Sequence, residues 1–243
     1  MKTKLVLDIP DMAELSVNDP EAFALNRRKG FGASDSSILL GVNHWTDIAT
    51  LIHDKNSTEI TEEEMAIGNK PQVRMGADLE PLILEKFIKE FGQFYPDSTV
   101  EKPSAQYRFK DYPYMTVNYD GIISGEDIPV ECKCVSTYAR KYWNFDASIH
   151  SPEDGVRRRF DSSNIKDCIE NEAKLYGIPP YYYTQIQQQL MGCKSNFAYL
   201  VALDVKEWSI HIYKIYENDD VQDVLVCTAA AMATECKEMP QPC

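Results

Sequence analysis

Two short segments carry residue types suited to phosphoryl chemistry: Thr116-Val117-Asn118-Tyr119-Asp120 and Val130-Glu131-Cys132-Lys133-Cys134. Side chains alternate faces along a strand, so Thr116, Asn118 and Asp120 share one face, while Met115, Val117 and Tyr119 form an apolar one. The same rule groups Glu131 with Lys133 and sets Val130, Cys132 and Cys134 behind them. If the strands pair, Asp120, Glu131 and Lys133 converge. Two carboxylates and the backbone carbonyl of Cys132 are suitable oxygen ligands for Mg²⁺. An ammonium beside them can orient or help deprotonate an attacking water and stabilise charge on a phosphorane.

The tripeptide alone selects nothing, because Glu172-Ala173-Lys174, Glu235-Cys236-Lys237 and Asp204-Val205-Lys206 also occur. The first two fall on expected helices, where the paired side chains diverge, and the third ends a strand. Only Glu131-Cys132-Lys133 has a strand with a polar-face Asp shortly upstream. The competing reading is a salt bridge on a sheet edge. Three other segments bear on the choice. Glu80, just after Gly76, is a third carboxylate or a helix-end Glu favoured by the dipole. Tyr182, Gln185 and Gln189 share one helical stripe. Ser34 follows a Gly-rich turn, with Arg27 one helix earlier. Free amides, a hydroxyl and a guanidinium there would cradle a phosphate, although an ordinary N-cap needs the same residues.

The elements that must position these groups are legible from pattern. Asp19-Pro20 starts a helix running to about Lys29. Gly30-Phe31-Gly32-Ala33-Ser34-Asp35 opens another containing Ile38, Leu39 and Leu40, and a third follows Thr46-Asp47. Residues 56–64 read as a polar surface loop. Gln72 to Phe91 is helical, with Leu79, Leu82, Ile83 and Phe87 as its stripe. Pro81 restarts or kinks it, placing Glu80 at a turn or helix end. Residues 99–135 change to period two and read as strands, and residues 146–175 as a polar, charge-rich insertion. Pro179-Pro180 starts a further helix. Two strands follow, Phe197–Asp204 and Trp208–Tyr216, and then a closing helix, Val221 to Lys237. This order implies one α/β (α+β) domain over 1–243 with a mixed central sheet flanked by helices.

Composition bounds the function. The 243 residues carry 38 Asp and Glu against 25 Lys and Arg, a net charge of −13, which argues against a generic DNA coat. Local basic clusters remain at Arg27-Arg28-Lys29 and at Arg157-Arg158-Arg159 with Arg140-Lys141 upstream, and each could equally be a solvated face. No apolar run reaches the roughly 20 residues that span a bilayer, and no secretion signal is expected at the N-terminus. Seven cysteines without a CxxC spacing fit a reducing cytoplasm better than disulfide, zinc or iron–sulfur chemistry.

In order, Arg27-x-x-Gly30-Phe31-Gly32-Ala33-Ser34-Asp35, Gly76-x-x-x-Glu80, Asp120-Gly121, Glu131-x-Lys133 and Tyr182-x-x-Gln185-x-Gln187 resemble the phage lambda-type alkaline exonucleases, also called YqaJ-like viral recombinases. These belong to the PD-(D/E)XK nuclease superfamily, and the resemblance covers about residues 20–215. It implies a restriction-endonuclease-like core. It also implies a 5′→3′ exonuclease that digests one strand of linear double-stranded DNA, leaves a 3′ overhang and works with a single-strand annealing protein. The implied assembly is a ring-shaped homo-oligomer enclosing DNA, with a trimer favoured. The implied cofactor is Mg²⁺, two ions per site, with Mn²⁺ substituting. By resemblance, Asp120 and Glu131 bind metal with Glu80 as a further carboxylate, Lys133 acts on the water, and Gln185 holds the water or the site geometry. Arg27 and Ser34 take the 5′-phosphate. The family usually has Ser-Pro before the motif Asp; here Asn118-Tyr119 stands there, and Asn118 can still donate to a phosphate. The implied location is the host cytoplasm of a phage or prophage.

Other readings are an endonuclease of the same superfamily and a noncatalytic DNA-end-binding recombination protein. Gly30-x-Gly32 is a poor dinucleotide site, lacking a preceding strand and a third glycine.

Overall fold

The computed structural model describes residues 1–9, 14–15, 18–62, 64, 70–155 and 164–242. Arg157-Arg158-Arg159 lies outside the described residues. In chain order the elements are β1 (Leu5–Ile9), α1 (Pro20–Arg28), a 3-10 turn (Ala33–Asp35) leading into the four-residue α2 (Ser36–Leu39), α3 (Ile48–Asn56) and α4 (Pro71–Phe91). Next come β2 (Val100–Glu101), β3 (Gln106–Phe109), β4 (Thr116–Val117), β5 (Gly121–Ile123) and β6 (Ile128–Val135). The chain closes with α5 (Ile165–Tyr176), α6 (Pro180–Met191), β7 (Phe197–Asp204), β8 (Ser209–Tyr216) and α7 (Asp219–Ala233).

Caps explain where several helices begin. Asp19 accepts the Ala22 amide at 2.9 Å and Asp47 the Thr50 amide at 2.8 Å, so each satisfies a donor the helix leaves open. The Gly177 cap of α5 has φ 75°, the left-handed conformation that favours glycine at a helix end. Pro81 sits inside α4, which remains one element; Glu80 is therefore mid-helix, not at a helix end.

The strands form two sheets. β1, β3 and β4 make a small antiparallel one, and β2-β5-β6-β7-β8 is the mixed central sheet, in which only β6 and β7 run parallel. A parallel neighbour requires a crossover, and α5 and α6 supply it. Along β7, Tyr199, Val201 and Leu203 pack with Ile83, Phe87 and Phe91 of α4, while Ala198, Leu200 and Ala202 pack with Ile186 of α6 and Leu225 of α7. The central sheet is thus covered on both faces, and its middle strand is apolar on both. Each fully buried large side chain contributes roughly 1.5–3 kcal/mol.

Two further expectations change. Residues 116–120 are not one strand paired with β6: β4 pairs with β3, and the chain passes through Asn118, Tyr119 and Asp120 before β5 joins β6. The charge-rich stretch 146–175 ends in α5, whose Cys168, Ile169, Ala173 and Tyr176 are buried in the core. High charge on its outer face masks that apolar stripe. The six cysteines among the described residues are free, and none of the described helices is long and apolar enough to cross a membrane.

Candidate active site

β6 presents Val130 and Cys132 to α4, and turns Glu131 and Lys133 to the opposite face, beneath α6. The α6 stripe that meets them is Tyr182, Gln185 and Gln189. Gln185 Nε2 donates to Glu131 Oε1 and Gln189 Nε2 to Oε2, both at 2.5 Å. Lys133 Nζ ion-pairs with Glu131 Oε1 and lies 5.1 Å from the centroid of the Tyr182 ring. Glu131 is only 3% exposed, so these donors are what make an ionised carboxylate tolerable there.

Asp120 reaches the same place from the joint between the sheets. Its Oδ2 accepts the Cys132 amide at 2.8 Å, which fixes it beside the Glu131–Lys133 pair. Gly121 makes this approach possible, since a Cβ there would lie 2.9 Å from Leu84 Cδ2 and 3.1 Å from Val100 Cγ1. Burial, then the neighbouring Glu131 charge, push the Asp120 carboxyl well above its ordinary range; Lys133 pulls the other way without prevailing. For Lys133, burial acts downward, but the Glu131 and Asp120 charges more than offset it, and its pKa is raised. Lys133 is therefore an ammonium that donates and stabilises charge. As an ammonium it is suited to donating to a water or to a phosphoryl oxygen.

Glu80 comes from α4 on the other face. Its charge contributes to the rise at Asp120, but its carboxylate is held by Lys102 Nζ at 2.6 Å. Among the described residues no group of three or more His, Cys, Asp and Glu side chains is arranged to hold a metal ion. The adjacent pair Asp120 and Glu131 nonetheless fits Mg²⁺, which commonly takes one or two carboxylates and completes its shell with waters and substrate phosphates. Burial, with the Glu131 charge beside it, disfavours a second negative charge at Asp120, which a bound cation would relieve.

The second half of the site lies at the α1–α2 connection. Arg27 and Ser34 are both exposed, with Arg27 Nη2 donating to Ser34 Oγ at 3.3 Å. Helix α2 is too short to supply a dipole, and the Gly32 amide is used by Asp35 Oδ2 at 3.0 Å, so an anion here would rely on side chains. Arg28 is not available to it. That guanidinium is buried and donates to the carbonyls of Ser57 and Glu59 and to Glu64. The turn is anchored from beneath by Lys55, whose Nζ bonds Arg27 O, Gly30 O and Asp35 Oδ2 at 2.7–2.8 Å. Gly30 is required by close approach, as a Cβ would meet Thr116 Cγ2 at 2.8 Å. A single groove of about 210 Å³ runs past Arg27, Ser34, Asn118, Asp120, Glu131 and Gln185.

A model of the YqaJ-like viral recombinase domain matches residues 22–194, which spans every residue of this groove. The chain belongs to that family. It is 30% identical over 132 residues to the uncharacterized protein YqaJ of Bacillus subtilis (strain 168), a match covering 54% of this chain and 39% of that protein. Its fold is similar to that of an alkaline exonuclease from Laribacter hongkongensis, LHK-Exo, with TM-score 0.58, 16% identity, and 89% and 92% of the two chains covered. The same enzyme in complex with dAMP gives TM-score 0.56 at 17% identity over the same shares. The architecture, a mixed central sheet flanked by helices, is restriction-endonuclease-like, as in these structures.

Within this family fold, Arg27, Ser34, Asn118, Asp120, Glu131 and Gln185 line one groove with Lys133 paired to Glu131, while Glu80 stands near enough to Asp120 to act on its charge but is ion-paired with Lys102. Cys132 contributes its amide to Asp120 and sits between Glu131 and Lys133 on β6. Asn118 is exposed in the groove, and its carbonyl accepts from Gln189 Nε2 at 3.2 Å. Sequence reasoning placed Gln189 on the right stripe without giving it a role. Its signal was the i, i+4 spacing to Gln185 on a helix whose Gln187, Gln188 and Gln189 are buried amides. Gln188 ties the two halves together, donating to Phe31 O and Thr116 O at 2.9 Å.

Proposed function

We propose that this protein is a Mg²⁺-dependent deoxyribonuclease acting as a 5′→3′ exonuclease on linear double-stranded DNA, leaving a 3′ single-stranded overhang. The observation that carries the reading is the continuity of one groove from the Arg27–Ser34 pair to Asp120 and Glu131. A terminal 5′-phosphate seated on the guanidinium and hydroxyl directs the following phosphodiester toward the carboxylates. The relative described as an alkaline exonuclease supports the same reaction class.

Asp120 and Glu131 would hold Mg²⁺, with Mn²⁺ able to substitute and substrate phosphates completing the shell, and a second ion belongs to the same proposal. The metal supplies Lewis acidity to the phosphoryl oxygens and lowers the pKa of a bound water. The chain's own groups do the rest. Lys133, kept protonated, leaves Glu131 for the scissile phosphate and stabilises its developing charge. Gln185 and Gln189 keep the Glu131 carboxylate oriented. Arg27 and Ser34 hold the 5′-phosphate, and Asn118 offers a side-chain amide between the two ends of the groove. A ring-shaped homo-oligomer, a trimer in the simplest case, and a single-strand annealing protein as partner in the host cytoplasm belong to the same proposal.

The test is digestion of end-labelled linear duplex with Mg²⁺, beside a covalently closed circle. The expected result is loss of the 5′ label first, a surviving 3′ strand and an intact circle. Cleavage of the circle points to an endonuclease, and binding of ends without digestion points to a noncatalytic protein. For Glu131→Gln and Lys133→Ala the expected result is loss of digestion with folding and DNA binding largely kept; normal activity in either removes the core of the proposal.

A further inference from the structure

Beside the groove lies a group of aromatic side chains that the core does not use. Trp45 is 71% exposed, Tyr138 77% and Tyr142 55%. Trp45 packs edge-on against Tyr181 with centroids 4.8 Å apart, and Tyr181 against Tyr182 at 4.5 Å. Tyr182 is the ring beneath Lys133. The Tyr142 phenol stands near enough to that of Tyr181 to help raise its pKa, after burial and Tyr182. Lys141 closes the far end, its Nζ 4.5 Å from the Tyr138 centroid and 4.9 Å from that of Tyr142. Trp45, Tyr181 and Tyr182 thus form a file of touching rings from solvent to the ammonium of the candidate site, and Tyr142 and Tyr138, bridged by Lys141, form a second exposed group near Tyr181.

Contiguous exposed rings are uncommon on a soluble surface without a partner. Two features decide the partner. The file is continuous with a groove whose chemistry suits a phosphodiester. The second group carries an unburied cation at ring level, in a chain that otherwise repels polyanions through its net charge of −13. Bases inside a duplex already stack on each other and offer no free face to a protein ring. Unpaired bases do, and aromatic platforms with interspersed cations are how single strands are held without sequence preference.

We infer that Trp45, Tyr181, Tyr142 and Tyr138, with Lys141, form a stacking platform for unpaired nucleotides of a single DNA strand next to the cleavage groove. The inference rests on the DNA reading proposed above. It places strand separation at this edge of the site, with bases leaving the duplex captured by rings while Lys141 meets a phosphate.

The experiment is fluorescence anisotropy of a labelled oligothymidylate titrated with the full chain in EDTA, so that nothing is cleaved. Wild type is compared with Trp45→Ala, Tyr142→Ala and the ring-preserving Trp45→Phe. Stacking on one ring is worth enough that each alanine variant weakens binding about tenfold, with Trp45→Phe within about threefold of wild type. Circular dichroism of the same samples shows each variant folded, as expected for exposed positions. Unchanged affinity in both alanine variants overturns the inference. So does sedimentation showing that Trp45→Ala turns an oligomer into a monomer, which makes the ridge an interface between copies. The two readings separate: wild type that digests duplex DNA with oligothymidylate binding indifferent to the rings keeps the nuclease and loses the platform. Ring-dependent binding with no digestion does the reverse.

Discussion

Gln189 donates its Nε2 to Glu131 Oε2 at 2.5 Å, one helical turn beyond Gln185, which donates to the other oxygen. The two amides grip both edges of one buried carboxylate, and Gln189 also holds the Asn118 carbonyl. Gln189 Oε1 has no hydrogen-bond partner among the described residues, yet flipping the amide would turn that oxygen against a carboxylate. Holding Glu131 thus outweighs satisfying Oε1.

Gln189→Leu should therefore cost stability as well as rate. A hydrogen bond to a buried charged group is worth about 1.5–3 kcal/mol, which corresponds to a Tm lowered by roughly 5 °C in a chain of this size. The rate should fall through kcat, because no groove group that holds the 5′-phosphate is touched. Thermal denaturation and steady-state kinetics on linear duplex read the two effects. An unchanged Tm with unchanged kcat contradicts a positioning role for Gln189.

Asp120 makes stability depend on pH and metal together. Its carboxyl is raised above the ordinary value of 3.8 by burial and by Glu131. Between that value and its folded one, the native state holds a proton that the unfolded chain has released. Stability of the metal-free protein therefore falls as pH rises through this window. Mg²⁺ bound at the carboxylates should cancel the fall, and Asp120→Asn should flatten it without metal. Tm measured from about pH 4 to 8, with EDTA and with Mg²⁺, checks both. A metal-free profile that stays flat in wild type, or keeps its slope in Asp120→Asn, rejects the linkage.

Which parts of this site were legible beforehand follows from how far each signal reaches. Alternation along β6 is local, and it correctly separated Glu131 and Lys133 from Val130 and Cys132. The helix starts at Asp19 and Asp47 were legible for the same reason, since a cap bonds only a few residues on. Pairing partners are not local. Nothing in residues 116–120 shows that β4 pairs with β3 and that Asp120 crosses to β6 through a backbone amide. Pro81 misled because a proline inside a helix is costly in general, yet α4 buries Ile83, Leu84, Phe87 and Phe91 around it. Strand β1 was missed altogether: Leu5-Val6-Leu7 is an apolar run too short to tell a strand from other structure, and its pairing with β3 about a hundred residues on is not a local signal. The diversion of Glu80 to Lys102 is a contact between distant segments and was likewise invisible.

The Asp35–Lys55 pair beneath the Arg27 turn is a buried ion pair at 2.7 Å, with Lys55 only 7% exposed. Removing one partner strands the other charge, so Asp35→Ala should destabilise by about 3–5 kcal/mol. The double variant Asp35→Ala with Lys55→Met removes both charges and should recover much of that loss. Denaturant unfolding of the four members of this cycle measures it. If the double variant is as unstable as the sum of the single ones, the pair is not the unit that anchors the turn.

Arg27 tests the division of labour along the groove. Its guanidinium is exposed and donates to Ser34 Oγ, the one hydrogen bond it makes among the described residues, whereas Arg28 next to it is spent on Ser57, Glu59 and Glu64. Arg27→Ala should leave the fold intact and weaken use of 5′-phosphorylated ends by about tenfold to a hundredfold, the value of one charge-assisted contact. On 5′-hydroxyl ends the loss should be small, because the contact has no phosphate to meet there. Arg28→Ala should instead lower Tm and affect both ends alike. Arg27→Lys should fall between wild type and alanine, since a point charge replaces a fork able to hold two oxygens. Measuring kcat/KM for both end types in the four proteins decides the matter: equal loss on both ends in Arg27→Ala removes the 5′-phosphate from this position.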